Sequence, residues 1–65
     1  MNQITIATIT RRSGSDAQLY GSHHVKIERF APFVGRISWY AGDFDNAETA
    51  QAVCAEAGAD EIVYA

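Results

Sequence analysis

The sequence predicts a small α+β domain in which one helix covers one face of a small, single-layer, mostly antiparallel sheet, in the order β-β-β-α-β over residues 1–65. Three observations lead there. Residues 2–12, 19–30 and 35–41 alternate apolar with polar side chains, the period of a half-buried strand. Residues 45–58 instead space Ala47, Ala50, Val53, Cys54 and Ala57 at helical intervals. Residues 60–65 close the chain with Ile62, Val63 and Tyr64, a short run that favours a strand.

In the first strand, Ile4 and Ile6 point one way and Gln3, Thr5 and Ala7 the other. Ile9 falls out of that phase, so a bulge or a strand end covered on both sides is expected there. Ser13, Gly14, Ser15 and Asp16 form a turn cluster with the composition of a flexible hairpin loop, and one glycine with no following lysine makes no phosphate-binding loop. In the second strand, His23, Val25, Ile27 and Arg29 share one face while His24, Lys26, Glu28 and Phe30 share the other; Pro32 ends or turns it. The third strand sets Ile37, Trp39 and Ala41 opposite Arg36, Ser38 and Tyr40.

The helix is expected over residues 46–57. Asp45 is the candidate N-cap and Glu48, three residues on, reaches back to it, a capping box worth roughly 1 kcal/mol. Gly58 supplies the left-handed residue that stops the helix. At about 100° per residue, Ala47, Ala50, Val53, Cys54 and Ala57 fall in an arc of roughly 120°, and Asp45, Glu48, Ala52 and Glu56 lie opposite. Because the helix offers small side chains, the bulk of the core is expected from Ile4, Ile6, Val25, Ile27, Ile37 and Trp39. The other sheet face would then show Gln3, Thr5, His24, Lys26, Glu28, Arg36 and Tyr40.

A chain of 65 residues forms one domain with one modest core, and no repeat, linker or low-complexity run divides it. Cys54, the one cysteine, has no intramolecular partner, which suits a reducing cytoplasm. Residues 1–10 lack a basic segment followed by an apolar run, so neither a signal peptide nor a membrane anchor is expected. A hydrophobic content of 48% is that of a folded globule, which excludes a disordered tail.

The net charge of −3 conceals a separation along the chain. Residues 1–42 carry Arg11, Arg12, Lys26, Arg29 and Arg36 against Asp16 and Glu28; residues 43–65 carry Asp43, Asp45, Glu48, Glu56, Asp60 and Glu61 with no base. Glu56 stands in the last helical turn, where the dipole disfavours a carboxylate by a few tenths of a kcal/mol. Glu48 and Glu56 are eight residues apart, so they project about 12 Å from each other along one helix line. Such polarity points to a charged partner, although a solvated, solubilising face explains the same acids.

Catalytic chemistry is not indicated. His23 and His24 are adjacent on a strand and face opposite ways, so they do not chelate one metal together and read as packed or surface residues. Cys54 with His23 as base would make a nucleophile pair, but Cys54 lies on the apolar helix face, where cysteine behaves as a small hydrophobe. A carboxylate pair of the glycosidase kind needs a cleft that shifts a pKa. No enzyme, cofactor or metal is expected.

The whole chain, above all Ile37-Ser-Trp-Tyr-Ala-Gly-Asp-Phe-Asp-Asn-Ala-Glu-Thr-Ala-Gln-Ala-Val, resembles small phage or mobile-element anti-CRISPR proteins, most of all inhibitors of the type I-C system. That family has no shared catalytic or binding motif. The resemblance implies a stoichiometric inhibitor that binds the Cascade surveillance complex in the bacterial host cytoplasm and stops it recognising target DNA. Such complexes engage DNA through basic surfaces, which an acidic mimic would occupy. Asp43, Asp45, Glu48, Glu56, Asp60 and Glu61 form the expected footprint, with Tyr40 and Phe44 as aromatic anchors; Tyr40 could instead cover the sheet and Phe44 could staple the helix. A monomer without direct nucleic-acid or membrane binding is expected. The alternative is a small nucleic-acid-binding domain using the exposed sheet face through Lys26, Arg36, Arg29, Arg11, Arg12 and Tyr40, which an acidic pI of about 5.0 disfavours.

Overall fold

Isoleucine and threonine recur through the first strand, and β-branched side chains favour a pleated backbone. In the computed structural model, which describes residues 3–65, this segment is β1 (Ile4–Arg11). It is followed by α1 (Gly14–Tyr20), β2 (His23–Ala31), β3 (Gly35–Phe44), α2 (Ala47–Glu56) and β4 (Glu61–Tyr64). The strands form one sheet in the order β3-β2-β1-β4; β1 runs antiparallel to β2 and parallel to β4, and β2 and β3 form an antiparallel hairpin. The β-β-β-α-β arrangement is therefore present, on a mixed sheet and with one more helix. Position 2, expected at the start of the first strand, lies outside the described residues.

The added helix occupies the place of the expected hairpin loop and takes Leu19 and Tyr20 out of the second strand. Its seven residues bury none of their side chains, so no apolar stripe marks it in the sequence. Gly21, at φ 99°, closes it: a Cβ there would lie 3.1 Å from the Phe44 carbonyl oxygen, so the chain passes Phe44 only because glycine stands at this point.

The phase of β1 is the reverse of that expected. Thr5, Ala7 and Ile9 face α2 and are buried, whereas Ile4 is 53% exposed on the opposite, open face. Pairing explains the reversal: Ala7 stands opposite Ile27 and Ile9 opposite Val25, and both β2 residues are fully buried under the helix. Ile9 is thus in phase with Thr5 and Ala7, and the β1–β2 register runs through it without interruption. The irregularity lies instead in β3, where Lys26 pairs with Tyr40 and Val25 with Gly42, leaving Ala41 as the extra residue of a bulge. Burial of the Thr5 hydroxyl is compensated, since its oxygen accepts a hydrogen bond from Arg29 Nε at 3.1 Å.

The core consists of Ala7, Ile9, Val25, Ile27, Ala50 and Cys54, with Ala41, Phe44, Ala57 and Ala59 packed against it. Ile37 and Trp39, expected inside, are 50% and 37% exposed. The reason is reach: ten helical residues span about 15 Å, and the helix ends level with Arg29, whose Nη2 donates to the Ala57 carbonyl oxygen at 3.0 Å. The β2–β3 hairpin runs on past that end, which makes the molecule 42 Å long against 18 and 15 Å across. At the hairpin tip Val34 N–H donates to the Ala31 carbonyl oxygen, and Phe33, fully exposed, has φ 68°.

Both ends of α2 are capped. Asn46, not Asp45, is the N-cap; its Oδ1 accepts from Thr49 N–H at 2.7 Å. At the other end Ala59 N–H donates to the Cys54 carbonyl oxygen and Gly58 N–H to that of Ala55, with Gly58 at φ 77°. That pair of bonds is a Schellman motif, and it holds glycine in the left-handed position anticipated from the sequence.

Candidate partner-binding surface

The six acids of the second half of the chain are distributed over three places. Asp45 precedes the N-cap of α2, Glu48 lies in its first turn and Glu56 in its last, all three exposed, with Glu48 and Glu56 eight residues apart on one helix line. Asp60 and Glu61 stand where β4 begins, beside the start of β1: Asp60 N–H donates to the Thr5 carbonyl oxygen at 2.7 Å, and Asp60 Oδ2 accepts from Thr5 N–H at 2.8 Å. Asp60 thus extends the β1–β4 pairing with its side chain. Asp43 is elsewhere, on the open face opposite His24.

There Asp43 Oδ1 pairs with Arg12 and accepts from His24 Nδ1 at 2.9 Å. These hydrogen bonds, from His24 first and then from Arg12, hold its carboxyl below the usual carboxylate value. Arg12 also lies over the Tyr20 ring at 5.5 Å, and the His24 ring packs against Tyr40 with centroids 4.9 Å apart. A continuous strip of Tyr20, Arg12, Asp43, His24 and Tyr40 results. Tyr40 is 69% exposed on this face, away from α2, while Phe44 turns its half-buried ring toward the core and over Gly42. Of the two aromatic anchor candidates, therefore, one is displayed beside Asp43 and the other is largely packed away.

The cations are divided between the two faces as well. Arg29 lies on the helix side, spanning Thr5, the Ala57 carbonyl and the Trp39 ring, whose centroid is 5.2 Å from the guanidinium carbon. Arg11 shares that side with Ile9. The open face keeps Arg12, Lys26 and Arg36, but Arg12 is paired with Asp43, and Arg36 Nη1 lies 3.5 Å from Glu28 Oε2. Positive and negative side chains therefore alternate on this face.

His23 and His24 point to opposite faces, His23 toward α2. Cys54 is fully buried in the core, and its burial pushes the thiol pKa up, which makes it a poor nucleophile. Among the described residues no three His, Cys, Asp or Glu side chains converge as metal ligands, and no helix is long and apolar enough to cross a membrane. The pairing of Asp43 with Arg12 and His24 was not foreseen from the sequence; the signal available was the hairpin itself, which sets residues 24 and 43 side by side. Compared with protein-family models, curated proteins and solved structures, the chain matches none.

Proposed function

We propose that this protein is a non-catalytic inhibitor that lays the outer side of α2 against a basic, DNA-engaging surface of a bacterial RNA-guided complex, of the type I-C Cascade kind, and so blocks target recognition. One observation carries the reading. Each of the three ion pairs among the described residues takes its acid from Asp43 or Glu28 on the open face, and none engages Asp45, Glu48, Glu56 or Glu61. The charged side chains of the helix are carboxylates only, including one at its C-terminal end where the helix dipole opposes it. A cationic groove relieves that arrangement, and its attraction raises the association rate more than it raises contact energy.

The footprint proposed is Asp45, Glu48 and Glu56; of the two acids where β4 begins, Asp60 is bonded to Thr5 N–H and Glu61 stands level with Ile6, on the sheet face away from α2. Asp43 is neutralised within the fold and holds β1, β2 and β3 together. The target class rests on the resemblance of the chain to anti-CRISPR proteins; the surface rests on the uncompensated acids. Tagged protein expressed in cells with a type I-C system is expected to capture Cascade subunits and to protect target DNA, with affinity falling steeply as salt rises. The double reversal Glu48→Lys, Glu56→Lys is expected to abolish both while leaving the far-ultraviolet dichroism unchanged. Undiminished inhibition by that folded variant would rule the acidic surface out.

A further inference from the structure

A cavity of about 450 Å³ opens between the end of β1, the first turn of α2 and the end of β4, lined by Ile9, Arg11, His23, Ala47, Tyr64 and Ala65. That volume is within the range of small-molecule sites, toward its lower end. Ile9, only 1% exposed, forms an apolar floor continuous with the core, and Ala47 adds a methyl wall. The ionisable side chains of the lining are basic or phenolic, in a chain whose net charge is −3. None of the acids proposed above to meet a partner contributes to it.

The polar groups are only partly committed. Among the described residues, the Arg11 guanidinium takes part in none of the ion pairs or side-chain hydrogen bonds. Ser22 Oγ donates its proton to the Asp45 carbonyl oxygen at 3.0 Å and lies 2.6 Å from His23 Nδ1, so that contact requires His23 to donate from Nδ1, leaving Nε2 uncommitted. The Tyr64 phenol oxygen accepts from Gln51 Nε2, which leaves its own proton for another acceptor. A guanidinium and a phenol proton without acceptors, set around an apolar floor, match an anionic head on a short hydrocarbon body.

We propose that this cavity binds a small aliphatic carboxylate, its charge held by Arg11 and Tyr64 and its hydrocarbon body by Ile9 and Ala47. The site is independent of the acidic surface, and either reading stands without the other.

Amide-resolved NMR titration of the full chain tests it, with hexanoate as the probe, hexanol as the uncharged body and inorganic phosphate as the charge without a body. Hexanoate is expected to shift Ile9, Arg11, Ala47, Tyr64 and Ala65 saturably in the millimolar range, while hexanol and phosphate bind at least about tenfold more weakly. Arg11→Gln is expected to weaken hexanoate about tenfold, and Ala47→Leu, which fills the space from a helix position that tolerates leucine, to abolish it. A glycine-serine extension after Ala65, which moves any terminal carboxylate away from Arg11, is expected to bind at least as well. The proposal fails if hexanoate produces no saturable shifts at the cavity, if hexanol or phosphate binds equally well, or if Arg11→Gln, shown folded by its spectrum, leaves the affinity unchanged.

Discussion

Asp43 and His24 face each other across the β2–β3 hairpin, the carboxylate Oδ1 2.9 Å from the ring Nδ1, and the same oxygen pairs with Arg12 from the end of β1. One carboxylate therefore fastens three strands. Its pKa is lowered from the ordinary 3.8, so its stabilising contribution is complete above that value and disappears as pH falls through the lower folded-state value. The Asp43 carboxyl carbon is expected to titrate below 3.8 in the native chain and to move back toward it in His24→Gln, the variant that removes the larger of the two stabilising hydrogen bonds. Asp43→Asn is expected to flatten the acid limb of the stability curve.

The N-cap expected from the sequence, Asp45, and the one observed, Asn46, are separable by mutation. Asn46→Ala removes the acceptor of Thr49 N–H and is expected to lower stability in urea by about 1 kcal/mol. Asp45→Ala, whose side chain makes no cap, is expected to change it by less than about 0.5 kcal/mol.

Arg29 joins sheet, helix end and indole through three geometrically distinct contacts. Lysine has the charge but not the planar fork, so Arg29→Lys is expected to cost roughly 1–3 kcal/mol, read as a lower urea midpoint with the slope unchanged. A loss under about 0.3 kcal/mol would mean that charge and stem suffice and that the guanidinium fork adds nothing.

Phe33 occupies the left-handed region at the hairpin tip without burying any of its ring. That conformation costs a non-glycine residue about 1–2 kcal/mol, part of which a glycine would lose again as chain entropy. Phe33→Gly is accordingly expected to raise stability by about 0.5–1 kcal/mol, measured by thermal or urea unfolding.

Glu56→Lys reverses a charge that opposes the α2 dipole. It is expected to stabilise the fold by a few tenths of a kcal/mol and to weaken capture of a basic partner, two changes of opposite sign read by unfolding and by pull-down.

The class of fold and the position of α2 were legible because Gly58 and the Ala47–Ala50–Cys54 spacing are local signals, and because Val25 and Ile27 alternate cleanly. The inward side of β1 was not. Ile4 and Ile6 outweigh Thr5 and Ala7 in any count of apolar residues, yet a strand shifted by one position exchanges its faces entirely, and the choice is made by its partner β2. Ile9 held the clue, being out of phase with the other two isoleucines and the one of the three that is buried. Seven-residue α1 leaves no mark in the sequence because it buries nothing, and Asn46 stands in place of Asp45 because two capping residues in succession leave the start of a helix ambiguous by one. For the surface, the sequence revealed that bases and acids are separated along the chain but not that Asp43 is folded back onto Arg12, a contact between residues 31 positions apart.

Because β1 lies between β2 and β4, the middle of the sheet is sealed by residues 61–64, and Thr5 waits for Asp60 across 55 positions. Closing that span is expected to be slower than zipping the β2–β3 hairpin, so the hairpin is expected to form first and the β1–β4 pairing last. During synthesis, one flank of β1 therefore remains without its neighbour until residues 61–64 have emerged from the ribosome.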